Sequence, residues 1–105
     1  MTDTIKIIAK RVGEDPVDET IENSLEALQE FVGGYIEHVQ IRPGLGLICN
    51  EEGRINGMHF NCQVKGFFIF GDFLLLGSEP FEEEFDDVPI TAQELLEEGL
   101  LRAYQ

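Results

Sequence analysis

The side chains able to do chemistry are few, and most lie between Gly33 and Asn61. His38, Cys49, His59 and Cys62 are zinc-binding residue types, and His59 and Cys62 stand in an H-x-x-C spacing. A closed zinc site takes four such ligands, usually as two close pairs, and no C-x-x-C accompanies this one. Either cysteine beside a histidine would make a thiolate nucleophile, but no oxyanion-hole signature or activated turn surrounds them. Glu51 and Glu52 are adjacent carboxylates. Acid–base catalysis by such a pair needs environments that drive their pKa values apart, and neighbours on one turn seldom receive them. Gly44-x-Gly46 lacks the helix start that a phosphate-cradling loop requires. We therefore read no catalytic residues, no metal site and no cofactor.

Two groupings point to binding instead. Asn50, Glu51, Glu52, Asn56 and Asn61 supply amides and carboxylates that would form a polar mouth for a small ligand if they converge, although Asn and Glu beside Gly are also ordinary turn chemistry. The second grouping is an acidic loop at 78–88, where Glu79, Glu82, Glu83, Glu84, Asp86 and Asp87 are interrupted by Phe81 and Phe85. A merely solvating loop has no use for aromatic rings, so the pair reads either as anchors for a docked protein or as rings folded back onto the sheet. The whole chain leans the same way. With 21 acids against 7 Lys and Arg, its formal net charge is −14, which disfavours nucleic acid and anionic membranes and favours a cationic partner. No signal-like or membrane-spanning apolar run is present, so the chain reads as cytoplasmic, where two cysteines act as small buried apolar groups.

The elements that must hold these groups follow from periodicity. Ile5, Ile7 and Ile8 mark a first strand closed by Gly13-Glu14-Asp15-Pro16, and Val17, Glu19 and Ile21 mark its hairpin partner. Asn23 or Ser24 caps a helix with Leu25, Leu28, Phe31 and Val32 at helical spacing, ended by Gly33-Gly34. A second hairpin runs from Tyr35 to Cys49 around Pro43-Gly44. Residues 54–65 show no sustained period and read as a folded loop, and Phe67 to Leu76 reads as one buried central strand bent at Gly71-Asp72. Thr91 with Glu94 forms the signature of a capped C-terminal helix. At 105 residues, 43% of them hydrophobic, the chain suits one domain spanning 1–105. The expected class is α+β: a single mixed or antiparallel sheet with one crossing helix and a C-terminal helix, in β-grasp-like order.

Val32 to Glu37 (VGGYIE), Cys49 to Gly53 (CNEEG), Asn56-Gly57, Asn61, and the strand from Gly71-Asp72 to Gly77 together form a recognisable pattern. In these motifs the chain resembles an uncharacterised small domain family of bacterial phages, plasmids and other mobile elements, with His59 standing where that family often has proline. The resemblance implies a mobile-element accessory protein, for which inhibiting or sequestering a host factor is the natural expectation. The expected function is thus a non-enzymatic accessory protein that binds a basic host or defence protein through its acidic surface. The alternative is a protein that sequesters a small ligand in the polar loop 50–61. Homo-oligomerisation is compatible with either.

Overall fold

The computed structural model describes residues 3–82 and 84–102. Strand β1 (Thr4–Lys10) alternates Ile5, Ile7 and Ala9 on one face with Lys6, Ile8 and Lys10 on the other, and pairs antiparallel with β2 (Val17–Glu22) from Thr4↔Glu22 to Ala9↔Val17. Helix α1 (Leu25–Val32) starts where the Ser24 hydroxyl accepts from the Ala27 amide and stops at Gly33, whose φ of 78° is left-handed. A second antiparallel hairpin joins β3 (Ile36–Arg42) to β4 (Gly44–Asn50). Strand β5 (Phe60–Val64) pairs with β6 (Phe67–Phe70) across Lys65-Gly66, both at positive φ (47° and 88°) as a two-residue hairpin turn of this twist demands. Strand β7 (Phe73–Ser78), helix α2 (Ala92–Glu97) and the two-residue β8 (Leu101–Arg102) complete the order.

The expected α+β class with a single sheet is overturned: among the described residues eight strands form two antiparallel sheets, and the two helices hold only eight and six residues. The five-stranded sheet has the order β2-β1-β7-β4-β3 and the three-stranded sheet β6-β5-β8. Two local causes defeat the β-grasp reading. Phe67 to Leu76 is two strands in different sheets, because Gly71 turns left-handed (φ 84°) and the Asp72 carboxylate accepts from the Val12 amide, so the chain crosses between layers at the bend. Residues 60–64 are a strand whose alternation is broken by an irregularity between Phe60 and Cys62, which hides its period. Strand β7 then enters between the two hairpins and pairs antiparallel with both β1 and β4.

The centre of the five-stranded sheet, β7 and β4 above all, is consequently buried on both faces. On one, Ile5, Ile7, Ala9, Ile48, Leu74 and Leu76 pack beneath Leu28 and Val32 of α1; on the other, Leu45, Leu47, Phe73 and Leu75 meet Cys62, Val64, Ile69, Leu95 and Leu101 of the second layer. Double burial is why Phe73 to Leu76 is a continuous apolar run with no alternation. Lys65 crosses the layers, its ammonium donating to the Ile41 carbonyl.

Beyond Ser78 the chain returns to the sheet. Gly77 and Asp86 exchange both backbone hydrogen bonds (2.8 and 2.9 Å), the Lys6 amide donates to the Asp87 carboxylate, and the Val88 amide donates to the Lys6 carbonyl. Strand β1 pairs with β7 only from Ile8 to Lys10, so residues 86–88 take the place where that ladder would have continued. Gly77 makes this possible, since a Cβ there would lie 2.3 Å from the Asp87 carbonyl oxygen.

Candidate functional site

The acidic loop is held at both ends and splits its two aromatic rings. Phe85 is half-buried, packs against the α1-side core and meets the His38 imidazole edge to face at 5.2 Å. Phe81 is fully exposed and stands at φ 70°, in the left-handed region that bulky residues avoid. Glu79, Glu82, Glu84, Asp86 and Asp87 are exposed, while Glu83 lies outside the described residues. The two rings of the loop are thus placed differently, Phe85 against the core and Phe81 in solvent.

Beneath Phe85 lies a polar chain that sequence reasoning missed. His38 Nε2 is 3.0 Å from Ser78 Oγ, Ser78 Oγ donates to Gln40 Oε1, and the Gln40 amide donates to the carbonyls of Arg42, Leu45 and Ser78. With the serine proton committed to Gln40, the Nε2–H tautomer of His38 completes the chain. With its proton directed to Gln40, the serine lacks the hydrogen bond to an unprotonated imidazole nitrogen through which a histidine acts as general base. Gly46 is the only residue type that fits below: a Cβ would sit 2.2 Å from Ser78 Oγ and 2.8 Å from His38 Nε2. Burial lowers the His38 pKa from its ordinary value. The signal was available in the register, since His38, Gln40, Gly46 and Ser78 share one face.

The polar loop divides differently from the expected mouth. Asn50 is buried, its amide donating to the Val32 carbonyl and its carbonyl accepting from the Glu52 amide, so it ties the helix end to the hairpin turn. Asn61 is fully buried: its oxygen accepts from the Lys10 ammonium at 2.8 Å and its nitrogen donates to the carbonyls of Lys10 and Gly71. Lys10 itself has no exposed surface, and burial lowers its pKa. Glu51, Glu52 and Asn56 are exposed. Asn50 and Glu51 line one concavity of about 190 Å³ with Arg54 and residues 67–70, whereas Glu52, Asn56 and Asn61 are not among its walls.

A larger concavity of about 460 Å³ lies between the first hairpin and residues 88–94. Its acids serve the fold: Asp18 accepts from the Ala92 amide, Glu19 pairs with Arg11, and Glu94 closes the capping box with Thr91. Cys49 and Cys62 are both buried and pushed up to about 11, chiefly by desolvation, which removes the thiolate that nucleophilic or metal chemistry needs. Among the described residues no three His, Cys, Asp or Glu side chains are grouped to hold a metal ion, and no helix is long and apolar enough to cross a membrane.

Residues 5–100 match the model of one protein family, whose description is Domain of unknown function (DUF3846). No curated protein and no solved structure matches the chain.

Proposed function

We propose that this chain, which belongs to the DUF3846 family, is a non-enzymatic binding protein that docks on a basic protein through the acidic loop from Glu79 to Asp87. The observation that carries the reading is Phe81: a fully exposed ring on a left-handed backbone, in a segment whose described acids are all exposed. A bulky residue in that conformation costs roughly 1–3 kcal/mol and gains nothing from packing in the free protein. Docking supplies the missing gain, because burying the ring contributes the apolar contact that charge alone lacks. The pinning of the loop by Gly77, Asp86 and Asp87 lowers the entropy lost on binding, and the −14 net charge steers a cationic partner toward it.

The mobile-element setting implied by the VGGYIE and CNEEG motifs makes a host or defence protein the target class, and a protein that ordinarily grips nucleic acid presents the matching basic surface. A ligand-sequestering role for residues 50–61 would rest on Glu51 and Arg54, since the amides of Asn50 and Asn61 are engaged with the fold.

The test is capture on immobilised protein from bacterial lysate at low and high salt, with the wild type, Phe81→Ala and a Glu82→Gln/Glu84→Gln double variant side by side. The reading expects a basic protein that is held by the wild type at low salt and weakened by either variant. Capture that both variants leave intact would remove the loop from the mechanism.

A further inference from the structure

We infer that the concavity beside Asn50 receives one arginine side chain of the protein partner; the inference rests on the docking reading above. One wall is Glu37 and Val39 of β3 with Cys49 of β4, the opposite wall is β6 from Phe67 to Phe70, and Glu51, Gly53 and Arg54 close the end. At about 190 Å³ it is smaller than the 300–1,000 Å³ of ordinary small-molecule sites and suits a single long side chain.

The lining selects a planar cation. Glu37 and Glu51 are exposed and form no ion pair with any described residue. The Glu37 charge adds to burial in raising the Cys49 thiol, so its negative potential extends to the floor. Phe67, on the same face of β6 as buried Ile69, keeps 48% of its surface in solvent, a cost that an apolar stem or a stacked guanidinium would relieve, whereas the Phe68 ring lies on the opposite face against Phe60. Guanidinium already lies over phenylalanine elsewhere in the fold, Arg54 over Phe70 at 5.8 Å and Arg11 over Phe31 at 5.1 Å. A flat guanidinium satisfies both walls at once, its faces against a ring and its edge N–H groups on a carboxylate, which a compact ammonium does not. Arg54 is the like charge on the rim and should oppose the incoming cation.

The experiment is a titration of the intact protein with N-acetyl-arginine amide, followed by amide chemical shifts, with N-acetyl-citrulline amide as the neutral isostere and N-acetyl-lysine amide as the second cation. The inference expects saturable shifts confined to Glu37, Asn50, Glu51 and Phe68 with the arginine probe, weaker ones with lysine and none with citrulline. Glu37→Gln/Glu51→Gln should weaken arginine binding by about tenfold or more, Arg54→Gln should strengthen it, and Glu82→Gln/Glu84→Gln should leave it unchanged. Equal response to citrulline, or arginine shifts that never saturate, would overturn the inference. The two readings fail separately: capture lost on Phe81→Ala without saturable arginine shifts removes the pocket alone, and saturable shifts with capture indifferent to the loop variants remove the loop alone.

Discussion

Single residues decide how much of the polar inventory is available for binding. Asn61 and Lys10 form a buried linkage between β1, β5 and the Gly71 bend, so Asn61→Ala should cost roughly 2–3 kcal/mol by leaving a buried cation short of an acceptor. Urea denaturation measures this directly, and an unchanged midpoint would show Asn61 to be dispensable to the fold. Gly46→Ala should cost about 1–3 kcal/mol, since the new methyl meets Ser78 Oγ and His38 Nε2. His38 gives a pH dependence of definite sign. Its folded pKa is depressed, so the unfolded chain binds the proton more readily, and stability from this group is present above the ordinary histidine pKa of about 6.5 and declines as pH falls through it. His38→Gln should flatten that decline near pH 6, and a curve identical to wild type there would refute the assignment. The cysteines should resist thiol reagents at pH 8 until the protein unfolds, because pKa values of about 11 leave roughly one thiol in a thousand ionised.

At the scale of elements, the turns of the first two hairpins, the caps at Ser24 and Thr91 and the helix stop at Gly33 were legible because each depends on chemistry within four residues. The layering was not. Whether Phe67 to Leu76 is one strand or two depends on what the chain pairs with on each side of Gly71, and local sequence carries no record of that partner. The Lys65-Gly66 turn was hidden for a different reason: lysine rarely accepts positive φ, so the usual Asn-Gly signal was absent and residues 60–64 passed as a loop. For the candidate site, the acidic composition of the loop and its two rings were readable, but the contrast between half-buried Phe85 and exposed Phe81 follows from the Gly77 and Asp86 bridge. Gly77→Ala should break that bridge by steric conflict with the Asp87 carbonyl. Hydrogen exchange should then accelerate at Asp86 and Val88 before it does in β4; uniform acceleration would mean that the loop return is integral to the sheet.

For the molecule as a whole, charge and shape give separate levers on association. On the docking reading, the net charge of −14, acting over a Debye length of about 10 Å at 0.1 M salt, would govern encounter, whereas the Phe81 ring would act only on contact and govern escape. The most direct test is the association and dissociation kinetics of the captured basic protein with wild type, Glu82→Gln/Glu84→Gln and Phe81→Ala across a range of salt. Docking through the acidic loop predicts that the double Gln variant lowers the on-rate and its salt dependence with little change in off-rate, while Phe81→Ala raises the off-rate about tenfold at an unchanged on-rate. Wild-type kinetics in both variants at low salt would contradict the account.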